Sequence, residues 1–490
     1  MTAPGITVTT AVATPPPIPN VATATWFVTG LAQRGPVGTP ISLQSMADFT
    51  TKLGSRAGYT ALYDALDLFF HDGGLLAMVS RVVGPSAAPA SVFLKDSATT
   101  PLNTIKVSAN SPGTWGNALT VQVVAGTLAG TYQLVIAYNG VTVEQSPNLA
   151  SPADAQNWSS LSNFIVVVDQ ANATAAPTNN PAVVAATPLA NGLDDNASIA
   201  EGTWTAALNA FPPDLGPGQV SAPGRTTDAA HVALMAHASA CNRIALLDGV
   251  DTPTAATLIS AATAAIAGGD GSRGCIVAPW VTIPGIPTGT GIPAPSRVAP
   301  PSALAAAAIA RSDAQTLNPN VAAAGSTAGA SSFAIGVSQT YVAADRGNLN
   351  AAGINVIRNI ASVVQLYGFR SMSIDPQFTQ LNWCRLHMAI QDEGQKIAAE
   401  IAQFSAIDAK GQLLGRLNGH LAGMLQRFWQ IGALFGTSAT DAFKVDTSSA
   451  VNTVQTAAAG QVLAVLSIRQ SAMSEFTRIS IINVPLTQSV

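Results

Sequence analysis

The sequence predicts a multidomain protein of mixed α/β and α+β class, with an extended arm at each end. Three observations predict it. Helical and buried-strand patterns alternate from Asn191 to about Val342, short strands closely punctuated by Gly and Pro fill Ser86 to Leu189, and two long amphipathic helices followed by strands occupy the last third. At 490 residues the chain exceeds one ordinary core and divides at roughly 100–200 residues per domain.

The first element, Gly5 to Ala13, is β-branched and alternating, and Pro15-Pro16-Pro17-Ile18-Pro19 cuts it off from the rest of the chain. A strand on a stiff polyproline-like tether does not easily join its own sheet; it frays or pairs with another molecule's edge. An apolar strand spans Ala24 to Gly30, and Arg34-Gly35-Pro36-Val37-Gly38 turns the chain. From Tyr59 to Phe70 the spacing of Leu62, Leu66, Phe69 and Phe70 predicts one helical face, stopped by His71-Asp72-Gly73-Gly74 before a strand from Leu75 to Val83. Short strands then follow at Thr104–Val107, Leu119–Val124, Tyr132–Tyr138, Val141–Val143 and Phe164–Val168, a small β-rich insertion.

The α/β stretch comprises helices over 203–210, 228–242 and 253–267 and strands at Arg243–Leu247 and Cys275–Ala278; a Pro- and Gly-rich loop precedes a helix over 302–311. In the last third a helix is expected over Gly353–Ile360, a strand near Val364–Gly368, and long helices over about 382–404 and 412–435. Leu413, Leu414, Leu417, Leu421, Met424, Leu425, Phe428, Ile431 and Phe435 form one stripe of the second, with Gly411, Gly415, Gly419 and Gly423 beside it. Each such glycine costs up to about 1 kcal/mol relative to Ala, so close approach of another backbone is expected to compensate. Strands follow at Ala442–Val445, Gln461–Arg469 and Thr477–Val484, the last arm-like. The units are therefore 1–23 (arm and Pro-rich linker), 24–85 (N-terminal part of the core), 86–190 (inserted β domain), 191–348 (middle α/β domain), 349–471 (C-terminal assembly domain) and 472–490 (C-terminal arm).

Composition narrows function. Charged residues are 10% of the chain and apolar ones 48%, where an average soluble protein has about 25% charged. So few charges suit a surface covered by further copies of itself. A net charge of −4 without a basic run argues against a nucleic-acid surface. The three cysteines, Cys241, Cys275 and Cys384, lack metal-type spacing. The start lacks the pattern of a signal peptide, and the Ala-rich runs are too short to span a bilayer, so no membrane insertion and synthesis in a cytoplasm are expected.

No catalytic, cofactor or metal site is expected. Gly289-Thr290-Gly291-Ile292-Pro293-Ala294 fits a dinucleotide fingerprint only superficially, since it lies among prolines and opens no helix. Gly325-Ser326-Thr327-Ala328-Gly329 has Thr where a nucleophile elbow needs Ser. His231 and His237 are six apart on one helix, on different faces, and read as structural. Paired carboxylates lack support: Asp194-Asp195 sits in a polar loop and Asp392-Glu393 on a solvated helix face.

In its ordered motifs the chain resembles the tail sheath proteins of contractile bacteriophages and related injection machines. These begin with Gly5-Ile6, Thr23-Ala24-Thr25, Phe27-Val28-Thr29-Gly30, Arg34-Gly35-Pro36-Val37, Gly73-Gly74, Val79-Ser80-Arg81-Val82 and Ser111-Pro112-Gly113-Thr114-Trp115-Gly116-Asn117. They continue through Ala278-Pro279-Trp280, Ala310-Arg311-Ser312-Asp313, Gly353-Ile354-Asn355, Tyr367-Gly368-Phe369-Arg370, Trp383-Cys384-Arg385-Leu386, Gly432-Ala433-Leu434-Phe435-Gly436, Asn452-Thr453 and Glu475-Phe476. Departures are Cys384 where the family often has a first arginine, Leu317-Asn318-Pro319-Asn320 in place of an Ala-Pro-Ala-Asn pattern, and a long Pro-rich loop over 281–298.

The resemblance implies a subtilisin-like fold for the middle domain, without its chemistry, and a structural subunit that polymerises as stacked six-membered rings around a tail tube. Contraction of the stack would drive the tube through a host envelope, within a virion assembled in host cytoplasm. A sheath of a bacterial injection system or tailocin is the alternative. Implied partners are further copies, the tube protein, and baseplate and tail terminator proteins. The arms of neighbours would complete a sheet in another subunit, through Gly5, Ile6, Val8 and Val12 at one end and Ile479, Ile481 and Val484 at the other. Phe443, Val445, Val462, Ala464, Leu466 and Ile468 would receive them. The polar stretch Asp446, Thr447, Ser448, Asn452 and Gln455 is the candidate tube contact, an ordinary surface turn being the other reading.

Overall fold

The computed structural model describes residues 22–287, 294–408 and 410–477. Trp26–Leu31 (β1) opens a central sheet, with Trp26 and Val28 in one apolar cluster and Phe27 in another. Alternation between two covered faces marks a strand with helices on both sides. Ile41–Leu43 (β2) follows, then Met46–Leu53 (α1), capped by the Ser45 hydroxyl, which accepts from the Asp48 N–H at 3.2 Å. Thr60–His71 (α2) buries Leu62, Leu66 and Phe69, as its spacing predicts, and Ala77–Val82 (β3) runs parallel to β1.

The next stretch folds around a core of its own. Ser91–Lys95 (β4), Asn103–Ala109 (β5), Leu119–Ala125 (β6), Tyr132–Tyr138 (β7), Val141–Gln145 (β8), Pro152–Ser159 (α3), Ile165–Asp169 (β9) and Val184–Pro188 (β10) form two antiparallel sheets, ordered β10-β6-β7-β8 and β4-β5-β9. The chain enters and leaves this unit at one seam, where Gly84 N–H donates to the Asp194 carbonyl at 2.9 Å and Ala88 pairs with Leu193.

Glu201–Asn209 (α4), Gln219–Ser221 (β11), Asp228–Ala240 (α5), Ile244–Asp248 (β12), Ala255–Gly268 (α6) and Gly274–Ala278 (β13) then extend the central sheet. After them come Val281–Ile283 (β14), Arg297–Ala299 (β15), Pro301–Thr316 (α7), Gly325–Ala328 (α8), Gly336–Val337 (β16), Ala343–Ala351 (α9), Ile354–Ile360 (β17) and Val363–Leu366 (β18). Among the described residues the central sheet is ordered β18-β17-β13-β12-β11-β1-β3-β2, parallel except at its outer pairs β17/β18 and β2/β3. Helices α2 and α7 share one apolar cluster; α5, α6 and α9 contribute to the other. In α7 Ala303 and Ala305 to Ala308 are buried beside α2. Their small side chains let the helix pack closely there. No helix among the described residues is long and apolar enough to cross a membrane.

One expectation is overturned. Gly353–Ile360 is not a helix: Ile354–Ile360 is strand β17, paired in parallel with β13 and closed into a hairpin with β18. Ile354, Ile357 and Ile360 mimic helical spacing, but the β-branched content suits a strand, and Ala361 and Ser362 both take positive φ (51° and 65°), the tight turn that matches sheet twist. Residues 354–366 thus belong to the same sheet as β12 and β13, on the far side of the boundary read at 348/349.

Both histidines of α5 serve the core. His231 Nε2 lies 3.1 Å from the Asp248 carbonyl, and His237 Nε2 accepts from Arg243 Nη1 at 2.9 Å. Burial, with the Arg243 charge adding to it, pushes the His237 imidazole down to about 4; burial also lowers His231 and His387. Below the unfolded value near 6.5, the unfolded chain therefore takes up protons that the fold refuses, and stability is lost as pH falls. From pH 7 to 5 the His237 share is about 2 kcal/mol. Asp248, pushed up to about 6 by burial, works in the opposite direction and returns about 1 kcal/mol over the same interval. We expect a net decline in the urea midpoint between pH 7 and 5. His237→Gln, which keeps an acceptor for Arg243 but does not titrate, should lessen that decline; an unchanged slope would refute the assignment.

Candidate assembly surface

The C-terminal helices and a short hairpin make a further apolar cluster. Leu381–Ile401 (α10) and Gln412–Gln430 (α11) pack together, and after Ala439–Ala442 (α12) the strands Phe443–Asp446 (β19) and Val465–Ile468 (β20) lie on them, separated by Val454–Ala458 (α13). Leu413, Leu417, Leu421, Met424, Leu425 and Phe428 of the predicted stripe are buried. Ile431 and Phe435 are not, because the helix ends at Gln430 and the chain turns through Gly432 at φ 78°. The glycine expectation has a different outcome. Gly411 caps the helix at φ 72°, whereas a Cβ at Gly415, Gly419 or Gly423 would meet nothing within 4 Å. Within the described residues, no close neighbour compensates those three.

The hairpin register decides which backbone groups remain open. Arg469 N–H donates to the Ala442 carbonyl at 2.9 Å, so 442/469 is a hydrogen-bonded pair. Alternation makes Lys444/Ser467 and Asp446/Val465 bonded pairs as well, and turns the peptide groups of Phe443, Val445, Leu466 and Ile468 outward. On β19 half of that outward edge is occupied: Phe443 N–H donates to the Ala439 carbonyl, and the Val445 carbonyl accepts from Asn418 Nδ2 at 3.2 Å. No described strand pairs with the outer edge of β20. A groove of about 550 Å³ includes Val462, Ala464 and Leu466 in its lining, with Ile390, Leu417 and Leu421 among its apolar residues and Asp270, Arg273, His387, Gln391 and Gln395 among its polar ones.

The residues expected from sequence to receive a strand lie in one region of the fold. Phe443, Val445, Leu466 and Ile468 lie in the strands, with side chains packed on the helical cluster; Val462 and Ala464 precede β20 and line the groove. Gly5, Ile6, Val8, Val12, Ile479, Ile481 and Val484 lie outside the described residues. Asn418, which the sequence alone does not single out, caps an edge from the helix below. A polar residue interrupting the α11 stripe is its only signal.

The polar stretch 446–455 divides in two. Thr447 is buried, its hydroxyl accepting from Asn418 Nδ2 at 3.1 Å, and Asn452 staples the loop by donating to the Leu463 and Thr447 carbonyls (2.8 and 3.2 Å) and accepting from Leu463 N–H at 2.8 Å. Asp446 accepts from Ser448 N–H at 3.0 Å and pairs with Lys444. Ser448 and Gln455 are exposed.

Among the described residues no three His, Cys, Asp or Glu side chains cluster as metal ligands. All three cysteines are buried free thiols, and burial pushes Cys275 and Cys384 up to about 12, away from a nucleophilic thiolate.

No protein-family model matches the sequence, and no curated protein is similar to it. Solved structures are similar in fold. A sheath tail protein from Listeria innocua superposes at TM-score 0.62 with 14% identity, over 87% of this chain and 89% of that one. The sheath tail protein of Desulfitobacterium hafniense gives 0.58 and 14%, over 90% and 93%. A chain of the anti-feeding prophage baseplate in its contracted state gives 0.57 and 17%, over 100% of both. The chain therefore has the fold of contractile sheath proteins, mixed α/β with several sheets.

Proposed function

We propose that this chain is the subunit of a contractile tail sheath, joined to its neighbours by strands passed between copies. The observation that carries the reading is the open edge of β20 beside a groove of mixed apolar and polar lining, in a chain whose sequence has a β-branched segment near each end. Its fold likeness to sheath proteins supports it. A segment such as Gly5 to Ala13 would bond to the outward peptide groups of Leu466 and Ile468 and lay alternate side chains, Ile6, Val8 and Val12, toward Val462, Ala464 and Leu466. Several backbone hydrogen bonds at roughly 0.5–1.5 kcal/mol each, plus the groove contacts, would make a joint that survives rotation of the bodies it links. The segment holding Ile479, Ile481 and Val484 would use the groups left open on β19 or a further neighbour.

On this reading copies stack as six-membered rings around a tube. Ser448 and Gln455 are the members of the 446–455 stretch free to face that tube. Baseplate and terminator proteins close the two ends, and contraction draws on free energy stored in the assembled lattice, held kinetically until triggered. A sheath of a contractile injection system is the second reading, favoured by end-to-end coverage of the anti-feeding prophage chain. Neighbouring genes for capsid and terminase would select the phage.

Electron microscopy of the purified protein beside a variant lacking residues 1–20 tests the proposal. Wide striated tubes from the full chain, and none from the truncated one, are expected. Two compact monomers would overturn it.

A further inference from the structure

The last described residues cross the molecule without joining a sheet. Residues 471–477 carry no strand, and core side chains hold the stretch instead: the Ser471 carbonyl accepts from Asn320 Nδ2 (2.8 Å) and Trp383 Nε1 (2.9 Å), and Met473 N–H donates to Gln380 Oε1 (3.1 Å). The final hold is the strongest. Arg370 donates from Nε and Nη2 to the two carboxylate oxygens of Glu475 (2.8 and 2.6 Å), and Asn350 Nδ2 adds a third bond at 2.8 Å. Arg370 is itself fixed, since its N–H donates to Asn355 Oδ1 at 2.7 Å and its carbonyl accepts from Asn355 Nδ2 at 2.8 Å. Asn355 is fully buried in β17. A continuous path of bonds therefore runs from the central sheet to Glu475, and one residue later Phe476 is 80% exposed.

Such a clasp is costly for a loose end. It orders a long Arg and a Glu, both still about one-quarter to one-fifth exposed (24% and 20%), where an unneeded tail would simply fray. Burial works against the Glu475 charge, but the bonds from Arg370 and Asn350 prevail and hold its carboxyl below the usual range.

Resting on the sheath reading above, we infer that Glu475 is a positioning residue for the joint between copies: the Arg370–Glu475–Asn350 clasp fixes the point from which the C-terminal segment leaves its own subunit. With the clasp closed the segment departs after Glu475. With it open the nearest hold is Met473 and then Ser471, which frees two to four residues, or up to about 13 Å of slack at roughly 3.3 Å per residue. Slack lowers the effective concentration of the segment at a neighbour and gives no compensating contact. The fold loses little, because Arg370 and Glu475 are both part-exposed and water reaches their charges once the clasp opens.

The test compares wild type, Glu475→Gln and the swapped pair Arg370→Glu/Glu475→Arg. Monomer melting should move little in Glu475→Gln, while hydrogen exchange over 471–477 rises and the concentration needed for tube formation increases roughly tenfold, the scale of one lost charge-assisted contact. The swapped pair should recover part of the assembly. Wild-type tubes with an indifferent Glu475→Gln, or a melting loss that accounts for the assembly loss, overturn the clasp and leave the sheath reading standing. Wild-type protein that never assembles overturns both.

Discussion

Arg385→Met will destabilise the cooperative unfolding of the core by about 3–5 kcal/mol, the cost of stranding a buried charge. Arg385 and Asp313 are each 0% exposed, and Arg385 Nη2 donates to both Asp313 oxygens at 2.6 and 2.5 Å. Asp313 accepts as well from the Thr23 hydroxyl at 2.7 Å, and Arg385 Nη1 donates to the Pro319 carbonyl at 3.1 Å. Three segments distant in sequence, the entry at Thr23, the end of α7 and the start of α10, thus meet on one carboxylate. The prediction is two-sided. Adding Asp313→Leu to Arg385→Met should restore most of the loss, because an apolar pair of similar volume leaves no uncompensated charge. Denaturant curves on the single and double variants check it, and a single-variant cost below about 1 kcal/mol would contradict the buried pair.

Arg81→Met will loosen the inserted β domain from the central sheet. The guanidinium is 0% exposed and donates to four carbonyls, Ala32 (2.9 Å), Gly35 (3.0 Å), Pro112 (2.8 Å) and Gln33 (3.1 Å), and to Asp194 Oδ1 (3.2 Å). Burial pushes it down to about 10, against the pull of Asp194. Asp194 is held in turn by Tyr59 Oη at 3.1 Å and by the Thr114 N–H and hydroxyl at 3.0 and 2.6 Å. One cation therefore ties the segment just after β1 (Ala32 to Gly35), the loop at Pro112 in the insertion and the insertion's exit at Asp194. Removing it leaves buried carbonyls and a carboxylate unmatched, at about 1–3 kcal/mol for each group that water cannot reach. Limited proteolysis should show new cuts near residues 84–90 and 190–196 while the core resists. An unchanged digestion pattern would argue that the insertion is held by its apolar contacts alone.

How much of this was legible in the sequence depends on the distance over which each signal acts. Local periodicity located α2, α5, α10 and α11 and most strands of the insertion, because amphipathic spacing is written into neighbouring residues. It failed at Ile354–Ile360, where three isoleucines at helical spacing outweighed β-branched content, and the deciding turn sits just beyond at Ala361 and Ser362. The candidate site was legible as a region of the chain but not in its geometry. Val462 and Ala464 were expected inside a receiving strand over 461–469 but precede β20, and which peptide groups face outward depends on the pairing register of β19 with β20. Register is a relation between segments. The Arg385, Arg81 and Arg370 pairs are invisible for the same reason, since Asp313, Asp194 and Glu475 lie 72, 113 and 105 residues away.

The half-capped hairpin has a consequence for stoichiometry. Asn418 and Ala439 close part of its β19 side and leave the β20 edge open, and on the proposed strand exchange the accepting edge and the donated terminal segment would be different surfaces of one chain. Two copies joined in this way do not satisfy each other, as the halves of a symmetric dimer do, because the second presents the same vacant edge again. Growth by such a contact stops within a layer only where the rotation from copy to copy closes a ring. On the proposed reading the angle of each addition would set the number of copies in a ring, whereas the number of rings in a stack would have to be set by something else.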